Sequence, residues 1–198
     1  MKKQYFLEAG IDFNHCEKGG KMYTYTNDFH NTEARSQYSP EQLEEVIDSV
    51  IFEFTVPAQS KYLTISFKRL DHVLPTIVAD PIKLRMVFEN LIDNAIKYTP
   101  QHGTVTIAVD DTRLNATPRA VAVKIIDTGI GIKAEDQAKI FQKFFRGSNA
   151  VSMEPDGSGL GLYITKDIIE HHGGTIWFGT STEGTTFSLV LPLDRVVV

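Results

Sequence analysis

Apolar and polar residues change rhythm several times along the chain, and each change marks an element. From Ser39-Pro40 onward, Leu43, Val46, Ile47, Val50 and Ile51 recur at the spacing of one helical face. Ser39 offers a capping oxygen and Pro40 a preset φ at the first helical position, so a helix begins there. "LTISFKRL" and "PTIVAD" then alternate with the period of short strands. Asp80-Pro81 repeats the cap-plus-proline signal and opens a second helix that runs to about Tyr98, where Thr99-Pro100 stops it. "TVTIAVD" and "AVAVKIID" read as two strands of a hairpin joined by the polar loop "DTRLNATPR". "KAEDQAKIFQKFF" reads as a short helix, "RGSNAVSMEPDGSG" as a mobile loop, and "LGLYITKDIIEHH" as a third long helix ended by Gly173-Gly174. Two strands, "TIWFGT" and "TTFSLVLPL", close the pattern.

Strands and helices in this order predict a two-layer α/β sandwich, a mixed and mostly antiparallel sheet covered on one face by three helices. Residues 1–38 keep neither period beyond a brief alternation at "KMYTYT", and are expected to be a linker or the remnant of a preceding region. Residues 39–198 are expected to form the folded domain, a length that buries a core without staples. A net charge of -5 with no basic face argues against nucleic acid as a partner. Cys16 is the single cysteine and cannot close an intrachain disulfide, which suits a reducing compartment. No apolar run approaches the roughly 20 residues needed to cross a bilayer, and "MKKQYFLEAGIDF" lacks the apolar stretch of a signal peptide. The expectation is a cytoplasmic chain that itself makes no membrane contact.

Three constellations add chemistry. Asn90, Asn94 and Lys97 stand at i, i+4 and i+7 on the second helix, off its core stripe of Leu84, Phe88, Leu91, Ile92 and Ala95. That spacing fits a solvated face, and equally fits amide oxygens around Mg²⁺ with a lysine facing phosphate. Asp127-Thr128-Gly129-Ile130-Gly131-Ile132 follows a strand, where a carboxylate can accept from an adenine amino group; a plain turn fits as well. Gly157-Ser158-Gly159-Leu160-Gly161-Leu162 enters the last helix, whose free N–H groups can cradle an anion. "SNAVSMEPD" before it is not a strand, so a dinucleotide-binding βαβ unit does not fit, and no P-loop pattern is present. Lys143 and Arg146 lie between, in "IFQKFFRGS".

In order and spacing these segments resemble the histidine-kinase ATPase family of the Bergerat-fold superfamily. "ENLIDNAIKYTP" resembles its asparagine box, "DTGIGI" and "GSGLGLYITKDIIEHHGG" its first two glycine boxes, "FQKFFRGS" its phenylalanine box and "EGTTFSLVLPL" its closing box. The resemblance implies ATP and Mg²⁺ as cofactors. It implies Asn94 at the metal, Asn90 and Lys97 near the phosphates, Tyr98 along the nucleotide and Asp127 on the adenine amino group. Gly129, Gly131, Gly157, Gly159 and Gly161 would shape the pocket, with Ile132, Lys143, Ser158, Leu160, Leu162 and Thr186 also at the nucleotide. Residues 147–158 would be a flexible lid. Arg146 would reach the γ-phosphate, and with Lys97 and Asn94 would carry the transfer.

Such kinases carry a helical hairpin with a phosphoacceptor histidine. His15 in "NHCEKGG" and His30 in "FHNTEAR" do not match that pattern, so the acceptor is expected on a dimerisation domain outside this sequence, with a response regulator downstream. His171 and His172 are expected to act as cationic helix caps. Two alternatives remain: a nucleotide-sensing module without transfer activity, and an ATP hydrolase like the gyrase and chaperone ATPases. The latter place a glutamate base where this chain has Asn90, and Glu89 is rotated by about 100° from that direction.

Overall fold

In the computed structural model the described residues are 35–69, 76–114 and 117–193, and Ser36–Val198 form one compact unit. The expected leading segment lies, up to residue 34, outside the described residues, as do Cys16, His15 and His30. Its last residues form a short strand β1 (Ser36–Tyr38), followed by helices α1 (Pro40–Glu53) and α2 (Thr55–Ser60). Ser39 caps α1 as its sequence predicts, its hydroxyl accepting from Gln42 N while the Gln42 side chain returns to Ser39 N. Then come β2 (Thr64–Lys68), β3 (Ile77–Ala79) and the long helix α3 (Pro81–Tyr98), which Asp80 caps through the N–H groups of Ile82 and Lys83. β4 (Thr104–Leu114) and β5 (Thr117–Asp127) form the hairpin. Helices α4 (Ala134–Gln137), α5 (Ser148–Met153) and α6 (Gly161–His171) precede the closing strands β6 (Thr175–Ser181) and β7 (Gly184–Pro192).

The five-stranded sheet has the order β2-β4-β5-β7-β6; β2 runs parallel to β4 and every other pair is antiparallel. β1 and β3 make a separate antiparallel ribbon. The apolar stripes of α1, α3 and α6 face the inner side of the sheet. Leu43, Ile47, Phe88, Leu91, Ile92, Ile168 and Ile169 are buried there with Ile107, Val123, Ile125 and Leu189. Each such side chain contributes about 1.5–3 kcal/mol relative to exposure. No described helix lies on the other side of the sheet, which carries the exposed Ile126 and Trp177.

Three local readings change. The polar "DTRLNATPR" is mostly strand, because β4 reaches Leu114 and β5 starts at Thr117; backbone pairing continues beyond the alternating apolar positions. The helix expected over "KAEDQAKIFQKFF" is one turn long. Phe141 leaves it to pack edge-on against Phe178 and Phe187, and Phe144 takes a left-handed φ of 63°, which no helix continues. The expected loop after Arg146 contains α5.

Candidate functional site

Helix α3 brings Asn90, Asn94, Lys97 and Tyr98 to the edge of the helical layer, all half-buried. The Asn90 and Asn94 amides make no hydrogen bond to the described residues, which leaves uncharged oxygens available to a cation or to water. Lys97 does not stand alone: its Nζ lies 2.7 Å from Asp93 Oδ2. Gly161 opens α6 directly against Asn90, and a Cβ there would sit 3.1 Å from Asn90 Oδ1. The asparagine helix and the second glycine-rich segment, with the whole β4–β5 hairpin between them in sequence, therefore meet at one point.

β5 ends on Asp127, whose carboxylate is buried. Its Oδ1 accepts from Gly129 N at 2.8 Å and from Thr185 N at 3.1 Å, while Oδ2 takes no hydrogen bond from the described residues. Burial pushes the carboxyl above its ordinary value, and the two backbone donors act in the opposite direction. The loop that follows is clamped from two sides. Ile130 N donates to Tyr98 O at 3.1 Å, and Ile132 N donates to Thr180 Oγ1 at 2.9 Å. Gly129 packs on the Tyr98 carbonyl and Gly131 on the Ser181 carbonyl. Gly184 closes the floor with φ 138°, and any Cβ on it would overlap the Asp127 carbonyl oxygen.

On the far side, Arg146 Nη1 donates to Pro155 O at 2.6 Å and Nη2 donates to Glu154 O. Its guanidinium also packs on Gly157. Lys143 Nζ lies 4.6 Å from the centre of the Tyr163 ring. Phe144 N donates to Gly159 O at 2.9 Å, with Gly159 itself left-handed at φ 69°. Ser158 Oγ accepts from Leu160 N at 3.3 Å; Leu160 is buried and Leu162 half-buried in the first turn of α6. α5 is tied back by Asn149 Nδ2 to Gly131 O at 2.9 Å and by Ser148 N to Asp136 Oδ2 at 3.1 Å.

Two expected residues take positions that the sequence does not show. Thr186 pairs with Ile126 across β5 and β7, on the face of the sheet opposite the described helices, whereas Thr185 pairs with Asp127 and is buried beside it. Thr185, one position away, is the residue on the Asp127 side of the strand, because successive strand residues point to opposite faces. His172 is no cationic cap. It is buried, its Nε2 accepts from Asp80 N at 3.0 Å and its Nδ1 faces Ile168 O at 2.8 Å, so Nε2 carries no proton and the ring ties the end of α6 to the start of α3. His171 does sit at the helix end, 3.6 Å from Asp167 Oδ2. Thr180, Thr185 and Asn149 also hydrogen-bond to the loop from Asp127 to Ile132. Only "EGTT" hinted at Thr185, and nothing local marks Thr180 or Asn149.

The arrangement offers a buried carboxylate acceptor, two amide oxygens, and the cationic side chains of Lys97, Lys143 and Arg146. Comparisons with known proteins agree with it. The model of the family described as histidine kinase-, DNA gyrase B-, and HSP90-like ATPases matches residues 79–195. The adaptive-response sensory kinase SasA of Synechococcus elongatus is 43% identical over 123 residues, covering 62% of this chain and 30% of that protein. The catalytic domain of the histidine kinase ThkA superposes with a TM-score of 0.67 at 28% identity, over 81% of this chain and 99% of that domain. ThkA in complex with the response regulator protein TrrA is similar as well, with a TM-score of 0.63 at 26% identity over 81% of this chain and 42% of that one. The chain spans less than half the length of the curated relatives it matches.

Proposed function

This chain belongs to the histidine kinase-, DNA gyrase B- and HSP90-like ATPase family, and from that premise we propose that it is the catalytic domain of a two-component sensor kinase. It binds Mg-ATP and passes the γ-phosphoryl group to a histidine on a dimerisation domain outside this sequence, from which a response regulator receives it. The observation that carries this reading is the Asp127 carboxylate. One oxygen is held by two backbone N–H groups and the other is left for the exocyclic amino group of adenine. Asn90 and Asn94 fit a magnesium ion as hard, uncharged oxygen donors, with Asn94 as the ligand; the ion would neutralise phosphate charge. Arg146 supplies positive charge where a loose phosphoryl-transfer transition state spreads its negative charge, once its guanidinium leaves the carbonyls of Glu154 and Pro155. Lys97 adds charge from the same helix as Asn94.

Transfer is favoured over hydrolysis because no glutamate stands at the helix position where the related ATP hydrolases carry their base. Asn90 occupies that position, and Glu89 is ion-paired at 2.9 Å with Arg85 Nε on the side of α3 where Arg85 also meets Ser49 and Glu53 of α1. With Mg-ATP alone, the chain should neither label itself nor hydrolyse ATP at an appreciable rate. Mixed with a dimerisation domain bearing a phosphoacceptor histidine, it should produce an acid-labile, base-stable phosphohistidine. Arg146→Ala should slow that step more than it weakens ATP binding, and Asn94→Ala should abolish the magnesium dependence seen by calorimetry. Rapid hydrolysis by the isolated chain would point to the ATP hydrolase instead, and tight binding with no transfer to the sensing module.

A further inference from the structure

Helix α3 ends without the glycine reversal that usually satisfies a helix C-terminus. Thr99 leaves it extended, at φ -89° and ψ 127°, and Pro100 follows. The last four carbonyls, of residues 95–98, therefore need donors from elsewhere. All four find one. Thr99 Oγ1 donates to Ala95 O at 2.6 Å, and Ile130 N donates to Tyr98 O at 3.1 Å. The two between them, Ile96 O and Lys97 O, both accept from Lys61 Nζ at 2.8 Å. Lys61 thus supplies half of the cap, and places a cation at the negative end of the helix dipole.

Lys61 lies outside the family-matched segment and outside every motif in the sequence. Its backbone is itself pinned: Lys61 N donates to Ala58 O at 3.1 Å, and Lys61 O accepts from His102 N at 3.0 Å. The residues on either side of that clasp, Tyr62 and His102, both take left-handed φ angles, 52° and 65°, and stack at 5.1 Å. L-residues adopt that conformation only when the surroundings compel it. Burial lowers the Lys61 amine below its ordinary value, and the carboxylate of Glu154 acts in the opposite direction.

We propose that Lys61 is a positioning residue: by capping Ile96 and Lys97 it fixes the last turn of α3, and so the placing of Lys97, of Tyr98 and of the Tyr98 carbonyl that holds the Asp127 loop. This rests on the nucleotide-binding reading above, but makes a claim of its own about a residue that touches no nucleotide. Lys61→Met keeps the stem and removes the donor. It should weaken Mg-ATP binding about tenfold, the scale of one hydrogen bond to a charged group. It should also speed exchange of the Ile130 amide in the nucleotide-free chain. Lys61→Arg should recover most of both, and Leu191→Ala, a core truncation at the far end of β7, should lower the denaturant midpoint without moving the dissociation constant. If Lys61→Met does not fold, Lys61→Gln, a shorter and neutral donor, takes its place, with changes in the same direction and of smaller size expected. Wild-type affinity and wild-type Ile130 exchange in a folded Lys61 variant would overturn the proposal. Should the wild-type chain itself fail to bind Mg-ATP, the functional reading falls, while Ile130 exchange still decides whether Lys61 holds the turn.

Discussion

At the Asp127 end of the site backbone packs on backbone, whereas around Arg146, apart from Gly159 against the Phe144 backbone, side chains reach to carbonyl oxygens. Gly184, Gly129 and Gly131 lie against the carbonyls of Asp127, Tyr98 and Ser181, and hydrogen bonds from Gly129 N, Ile130 N, Ile132 N and Thr185 N hold the loop between Asp127 and Ile132. Backbone in a sheet cannot yield without breaking the ladder. Gly157, by contrast, faces the tip of the Arg146 side chain, and Gly147 faces the Asp136 carboxylate. Those neighbours can rotate away. The difference suits the work proposed for each end: a base is read by donors and acceptors fixed beforehand, while phosphates must be enclosed and released by a segment whose contacts exchange.

The most severe test of this contrast compares two glycines. Gly184→Ala forces a Cβ into the Asp127 carbonyl at φ 138° and should cost roughly 3 kcal/mol or more, or prevent folding. Gly157→Ala meets only the Arg146 guanidinium, with its Cβ 2.9 Å from Cζ, and should cost less than about 1 kcal/mol. Denaturant midpoints for the pair measure the gap; equal losses would erase the distinction between the two ends.

Asp127→Asn should produce a smaller loss of a different kind. The amide oxygen can still accept from Gly129 and Thr185, but its NH₂ group then confronts the adenine amino group, and ATP affinity should fall by about tenfold or more. Stability should rise at neutral pH. Because burial raises the Asp127 pKa in the folded state, the folded chain holds the proton longer than the unfolded one. The stabilisation that goes with this is complete below the unfolded value and is lost as pH rises through the folded value. Near neutrality the wild type therefore keeps an ionised, buried carboxylate that the asparagine variant lacks. Thermal melts across pH give the crossover. The same titration predicts that wild-type ATP binding weakens on acidification, starting above the ordinary carboxyl value of 3.8.

The smallest effect is expected at Asn149, whose amide ties α5 to Gly131 O. Removing it in Asn149→Ala should cost about 0.5–1.5 kcal/mol locally, visible as faster amide exchange over Ser148–Met153 with little change in ADP affinity. An affinity loss as large as that of Asp127→Asn would mean that this segment is part of the rigid end after all.

Much of this fold is written locally. Ser39-Pro40 and Asp80-Pro81 set the starts of α1 and α3, Gly173 takes the left-handed φ of 74° that ends α6, and alternation marks most of the strands, because caps and periodicity act over a few neighbouring residues. The motif resemblance also groups Asn90, Asn94, Asp127 and the glycine-rich segments at one site, an expectation that rests on the family pattern and not on caps or periodicity. Other features depended on partners far along the chain. Register alone chose Thr185 over Thr186, because a strand's alternation does not say which face meets the helices. Phe141 turned toward Phe178 and Phe187 and cut α4 to one turn, an aromatic contact between distant parts of the chain that no local propensity contains. Lys61 found the end of α3, and His172 its beginning, because the fold left carbonyls and an N–H there that had to be satisfied, a need that exists only once the chain has packed.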